Sequence, residues 1–349
     1  MTARASLLVA VLHLLGACAT AAPAANPAAR GPSPLRTFSA GLDGRWIGDG
    51  IAYGMHRDGQ SPAGAQPTRA QLTEDLQLLS RRWHFLRMYD ASPTAALVLQ
   101  IIREEKLPLV VMLGCWVAPE HAAAKGKEPG TGDPLPAGVA ANRAELERCV
   151  QIANEYPELV RAVIVGNETQ IDWSDHRCGP EVLLRSLREV RARTRAPITT
   201  ADDHGFWSTA ASLAVAAEVD FLDVHAYGMW GGQQLESALA FTQEKLAAVQ
   251  ARHPGRLLVL GEFGWATQRS NQGEQARLIK GKPGEREQAI FFEQARAWTT
   301  SAKLVNLWFE AFDEGWKGGP DPAEVEKHWG LYQRDRTPKK AVREAAPGR

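Results

Sequence analysis

The sequence has no excess of either charge: 40 Lys and Arg stand against 40 Asp and Glu in 349 residues. Nucleic acid is thereby excluded as a partner, because phosphate binding needs a basic surplus that survives counterion release. Cysteine is scarce, at 4 residues, which excludes a scaffold built from disulfides. A membrane-spanning run is missing as well, since the apolar stretch Ala5 to Ala17 is too short to cross a bilayer. No Gly-rich phosphate loop follows the first strand-like run, which removes the commonest use of an open doubly wound sheet. His56, His204 and His225 lie near predicted strand ends, yet no HxH or HExxH spacing marks a metal site. Neither a metal nor an organic cofactor is expected. What the chain does have in quantity is tryptophan, 11 residues, a side chain expensive to place without a use.

The N-terminus reads as an address. Arg4 precedes the short apolar run, so residues 1–17 fit a secretory signal. Leu15-Gly16-Ala17-Cys18 resembles a bacterial lipobox, in which Cys18 becomes the acylated first mature residue. Ordinary cleavage among the small residues up to Ala22 is the alternative, and it leaves a soluble exported protein. The expected location is therefore periplasmic or cell-surface, with a lipid anchor if Cys18 is modified. Residues 18–38 are Ala/Pro-rich without apolar periodicity and read as a tether, leaving 39–349 as the folded domain. Cys115 is expected to be a buried thiol, and a Cys149–Cys178 bridge is possible.

From residue 46 onward one grammar repeats: a short apolar or β-branched run, a polar loop, then a helical period. The runs are 49–55, 84–89, 108–115, 160–166, 197–202, 219–225, 256–262 and 304–310. Their separation is that of βα units rather than hairpins. Thr68 with Gln71 forms a capping-box signature, Ser92-Pro93 opens a helix over 93–105, and Pro180 opens another over 181–194. Further helical patterns cover 141–155, 234–252 and 284–302. The length allows two domains or one elaborated barrel. Eight alternating units predict a single (β/α)8 TIM barrel, in which chemistry sits where the strands end.

Two strand-like runs end in glutamate. The fourth ends Val165-Gly166-Asn167-Glu168 and the seventh Leu260-Gly261-Glu262-Phe263-Gly264-Trp265. An ionised group directly after a buried run is costly unless it faces a functional mouth. This pairing on strands four and seven is the arrangement of a large clan of retaining glycosidases. The surrounding wording is narrower: Tyr53-Gly54 with Arg57-Asp58-Gly59-Gln60-Ser61-Pro62, then Leu86-Arg87-Met88-Tyr89-Asp90, and Phe309-Glu310-Ala311-Phe312-Asp313-Glu314-Gly315-Trp316-Lys317. Together with His328-Trp329-Gly330-Leu331-Tyr332, these residues resemble glycoside hydrolase family 17 over residues 46–341. The chain departs from the usual pattern at Gly261, where Ser or Thr is common, at Phe263, where Thr is common, and at Gly315, where Pro is common.

The resemblance implies a β-1,3-glucan substrate and a hydrolase or glucanosyltransferase activity, with Glu168 as acid/base and Glu262 as nucleophile. A retaining mechanism needs carboxyl groups about 5 to 5.5 Å apart in opposite protonation states. Repulsion from ionised Glu262 would keep the proton on Glu168 until the glycosyl ester forms, after which Glu168 serves as base. Asn167 is expected to bond the sugar 2-hydroxyl, Arg87 to keep Glu262 ionised, and Tyr227 to orient it. Substrate contacts are also expected from Tyr53, Asp90, Trp265, Glu310, Asp313, Glu314 and Trp316. A non-catalytic glucan-binding lipoprotein on the same barrel is the rival from another class, although a binding module has no reason to keep two repelling carboxylates. A monomer is expected. Trp116, Trp173, Trp207, Trp230, Trp265 and Trp316 each follow a predicted strand within a few residues. Indole faces stack on pyranose rings, so these six are expected to rim one barrel mouth. The loops 117–138 and 266–283 are long enough to wall subsites.

Overall fold

A computed structural model describes residues 34–122 and 129–343. The expected signal at 1–17, Cys18, most of the tether and part of loop 117–138 lie outside the described residues. Eight parallel strands close a barrel in sequence order: β1 (Asp49–Ala52), β2 (Phe85–Arg87), β3 (Val110–Cys115), β4 (Val160–Asn167), β5 (Ile198–Asp203), β6 (Leu222–His225), β7 (Leu258–Phe263) and β8 (Asn306–Trp308). Each overlaps one of the eight apolar runs, and a single (β/α)8 domain results. Among the described residues no helix is long and apolar enough to cross a membrane.

The helices begin where local chemistry satisfies their first N–H groups. α1 (Arg69–Ser80) carries the full capping box of Thr68 and Gln71, and α2 (Pro93–Glu104) has Ser92 accepting from the Ala95 N–H. α3 (Pro136–Glu155) starts earlier than the periodicity suggests, because Pro136 occupies its first turn. α4 (Pro180–Arg193) follows β4. After β5 come two short helices that periodicity does not resolve, α5 (His204–Trp207) and α6 (Ser212–Ala216). α7 (Leu235–Arg252) follows β6, and α8 (Gly273–Leu278) lies inside the long loop before α9 (Glu285–Ala302).

Strand alternation sorts the core into two clusters. On β3, Val110 and Met112 join one cluster while Val111, Leu113 and Cys115 join the other, and β4 divides Ala162 and Ile164 from Val163 and Val165 in the same way. The smaller cluster fills the barrel and the larger one packs strands against helices. Phe38 belongs to the smaller: it stacks on Phe221 at 4.3 Å and on Phe85 at 6.2 Å. Arg36 donates to the carbonyls of Ala196 and Arg191, and its N–H bonds Asp220 at 2.8 Å. The stretch read as tether up to residue 38 therefore ends sooner, because its last residues floor the barrel. The three described cysteines are free and buried, and Cys149 hydrogen-bonds Cys115 rather than bridging to Cys178.

Candidate active site

Both glutamate-bearing strands slip register by one residue immediately before the site. Between β4 and β5, Ile164 pairs Thr199 but Asn167 pairs Ala201, and between β6 and β7, Val224 pairs Leu260 but His225 pairs Glu262. An extra residue reverses which face the following side chain takes. Asn167 and Glu262 are thereby turned into the barrel, leaving Val165, Leu260 and Phe263 in the outer cluster. The slips contain Gly166, at φ +80°, and Gly261. Glu168 itself has φ +51°, a left-handed conformation that costs a non-glycine residue about 1 kcal/mol. It leaves the strand there and reaches the mouth. Gly261 also explains the departure noted above: any β-carbon at this position would collide with the Asp223 carboxyl.

Glu262 is 4% exposed and held on three sides. Arg87 Nη1 lies 2.7 Å from its Oε1, Tyr89 donates to Oε1 at 3.1 Å, and Tyr227 donates to Oε2 at 2.6 Å. Burial works to push the Glu262 carboxyl up. The charges of His225 and Arg87, with the Tyr227 hydrogen bond, outweigh burial and hold it below the usual carboxylate range. Both tyrosines are pushed well above their ordinary value, by burial first and next by the Glu262 charge, so they remain O–H donors. Arg87 also donates to the Gly261 carbonyl at 2.8 Å and to Asn167 Oδ1 at 2.5 Å. One guanidinium thus fixes the Glu262 carboxylate and the asparagine together.

His225 ties the second glutamate into this group. Its Nδ1 lies 2.8 Å from Glu168 Oε1 and its Nε2 3.0 Å from Arg87 Nη1. A neutral ring would accept from Arg87 at Nε2, whereas a charged ring donates from both nitrogens; in either state Nδ1 is the donor to Glu168. Burial opposes a charge on His225, but Glu262 and the bond to Glu168 raise its pKa above the usual value. Ligand-type atoms of Glu168, His225 and Glu262 all lie within 4.8 Å of one another. Geometrically they could hold a divalent ion, but Arg87 already supplies the positive charge at Glu262. An oxygen of Glu168 and one of Glu262 thus lie within 4.8 Å of each other, a closeness that suits the short carboxyl separation of a retaining pair.

The glutamates open into a cleft of about 1220 Å³. Tyr53, Asp90, Asn167, Tyr227, Glu314 and Trp316 line it, as do Trp116, Trp173 and Trp230. Arg87 and Glu310 stand behind the wall, acting through Glu262 and through Lys317. Lys317 Nζ lies 2.6 Å from Glu310 and 2.8 Å from Glu314. Tyr53 turns its hydroxyl away, donating to Asp75 at 3.3 Å. Three expected contacts are corrected: Glu310, fully buried against Lys317 behind the wall, and two more. Trp265 is fully buried beneath the loop after β7, with its indole donating to the Lys282 carbonyl at 3.0 Å, and Asp313 is buried against Lys339 at 2.8 Å. Trp207 also leaves the rim, because α5 turns it inward to donate to the Asp223 carbonyl at 2.9 Å.

Several site groups escaped the sequence reading. Tyr89, His225, Lys317 and Glu326 all touch the site or its walls; the alternation Phe85-Arg87-Tyr89 and the pair His225-Tyr227 were the available signals. Glu326 receives the Trp230 indole N–H at 3.2 Å, and burial pushes its carboxyl up to about 7. Asp202 is pushed up to about 7 by burial, against hydrogen bonds from the backbone N–H groups of Gln170 and Asp203. Asp223, beneath the site, has both carboxylate oxygens without hydrogen-bond partners, and burial raises its pKa.

A glucan 1,3-β-glucosidase of Arthroderma benhamiae is 27% identical over 320 residues, covering 88% of this chain and 92% of that protein. A probable glucan endo-1,3-β-glucosidase, btgC, of Aspergillus fumigatus is 23% identical over 298 residues, spanning 79% of this chain but 40% of the relative. Among solved structures, an endo-laminarinase from Formosa superposes with a TM-score of 0.70 at 24% identity, covering 85% of this chain and 86% of that one. A family 17 β-1,3-glucanosyltransferase from Rhizomucor miehei gives 0.63 at 19% identity, covering 84% and 96%. Residues 50–330 match the model of the BtgE/BtgC glycoside hydrolase domain, and the chain belongs to that family.

Proposed function

We propose that this protein cleaves β-1,3-glucan with net retention, Glu262 attacking the anomeric carbon and Glu168 serving as acid and then base. The carrying observation is the asymmetry of the glutamate pair: Glu262 is clamped by Arg87, Tyr89 and Tyr227, while Glu168 faces only the Nδ1 donor of His225. A clamped, ionised carboxylate is a competent nucleophile. As the glycosyl ester forms its charge is consumed, and the second glutamate is then free to take a proton from water or a sugar hydroxyl. Asn167, oriented by Arg87, is suited to the sugar 2-hydroxyl. The relatives named for glucan 1,3-β-glucosidase and endo-1,3-β-glucosidase activity support this substrate. So does a neighbouring structure, an active-site mutant of the Rhizomucor enzyme in complex with laminaritriose. Export, with an anchor on Cys18, is part of the same proposal and suits a polysaccharide substrate.

Glu262→Ala is expected to lose about 10⁴-fold or more of kcat on laminari-oligosaccharides, with azide restoring part of it as a glycosyl azide of inverted configuration. Near wild-type turnover without azide would remove Glu262 from the nucleophile role. Product lengths from a single oligosaccharide separate the two acceptors: products longer than the substrate mean transfer, and exclusively shorter ones mean hydrolysis.

A further inference from the structure

Trp173 is 59% exposed, more than any other large apolar side chain among the described residues, yet it lines the cleft. It stands five positions beyond Glu168, on the loop leading to α4. That loop is pinned. The Gln170 N–H bonds Asp202 at 2.9 Å, the Gln170 amide donates to the carbonyls of Thr169 and Cys178, and the Cys178 N–H bonds the Thr169 carbonyl at 3.1 Å. Beside it Trp116 packs edge-on against His176 at 4.7 Å, both also facing the cleft. Trp173 is thus not an isolated surface residue: with Trp116 it forms aromatic lining of one cleft, the setting in which exposed apolar area marks a ligand face.

Position assigns that face to one end of the glucan. The acid must reach the glycosidic oxygen, so the leaving sugar lies on the Glu168 side; by microscopic reversibility the incoming acceptor lies there too. Resting on the glucanase reading above, we propose that Trp173, flanked by Trp116, is the stacking platform for an acceptor glucan and sets how much of the glycosyl-enzyme goes to sugar rather than water. In the transfer step the ester bond between the anomeric carbon and Glu262 breaks as a bond from an acceptor hydroxyl oxygen to that carbon forms. The hydroxyl proton passes to Glu168, and Glu262 recovers its charge.

The test uses β-laminaribiosyl fluoride as donor, whose leaving group occupies no sugar site on the acceptor side, with laminaritriose as added acceptor. In Trp173→Ala the laminaritriose concentration for half-maximal transfer is expected to rise roughly tenfold, the factor given by losing about 50 Å² of apolar contact. The donor KM should move by much less, and Trp173→Phe should recover part of the acceptor effect. An unchanged acceptor requirement, or equal shifts for donor and acceptor, overturns the platform. So does a wild type that releases fluoride without forming transfer products, while the glucanase reading stands. A wild type that neither releases fluoride nor cuts laminari-oligosaccharides overturns both.

Discussion

On the side of the cleft built by β8 and β1, the acidic groups are buried and paired with a lysine; on the side built by β3 to β5, the aromatic lining is exposed at Trp173 and half-buried at Trp116. Glu310 and Glu314 are almost inaccessible and share Lys317, whose amine also lies 4.5 Å from the Phe309 ring. Gly54 lets Glu314 approach the β1 backbone closely, since a β-carbon there would collide with the carboxylate. Trp173 and Trp116 opposite have no such partners. A sugar held by prearranged charged groups is fixed in place, as the glycone must be while its anomeric carbon reacts. One held by stacking can be exchanged. The difference teaches which half of the cleft does chemistry on a fixed ring and which half trades one sugar for the next.

The sharpest way to break this contrast is to unpair the buried wall. Lys317→Met strands two carboxylates in the interior and is expected to cost about 3 to 5 kcal/mol in denaturant unfolding. Trp173→Ala should stay within about 0.5 kcal/mol, as an exposed substitution does. Equal losses would mean that the walls are not built differently. Burial splits the carboxyls unequally: it pushes Glu310 well above its ordinary value, while Lys317 and the Trp316 indole bring Glu314 below its own despite burial.

Asp202 is a buried carboxyl group beneath the aromatic side. Its folded pKa of about 7 exceeds the ordinary carboxyl value, so its contribution to stability is full below about pH 4 and is lost as pH rises through 7. Asp202→Asn should therefore flatten the fall in unfolding free energy between pH 5 and 8 by roughly 2 to 3 kcal/mol. An unaltered pH slope would show that Asp202 is ionised at no cost. The smallest expected effect concerns the exposed aromatic on the charged side. Trp316 is 40% exposed and donates to Glu314 at 3.0 Å. Trp316→Ala should raise the KM for laminari-oligosaccharides about threefold, since buried polar groups carry most of the binding there. A tenfold rise would make stacking as important on this side as on the other.

The barrel was legible because period-two and helical patterns are local, and caps such as Thr68 and Ser92 announce themselves. The two glutamates were legible because a charge after an apolar run has few structural excuses. What lay beyond reach was where a side chain points once a loop has turned. Trp207 and Trp265 follow strands just as Trp173 does, yet α5 and the loop after β7 fold them under. Phe38 looked like tether because its partners, Phe221 and Phe85, are distant in sequence. Cys149 meets Cys115 for the same reason. His225 was visible only as an isolated histidine; its place between two carboxylates and a guanidinium depends on the closure of the barrel.

The register slips at Gly166 and Gly261 carry a consequence for how this wall tolerates change. Alternation works as a counting frame, and each slip shifts the frame once, just below the reacting layer. Letters on either side can vary while the frame holds. Removing a single glycine keeps every remaining letter, yet it would send Glu262, or Asn167 beside Glu168, outward among the helices. For these two strands, length is the heritable property on which the chemistry depends.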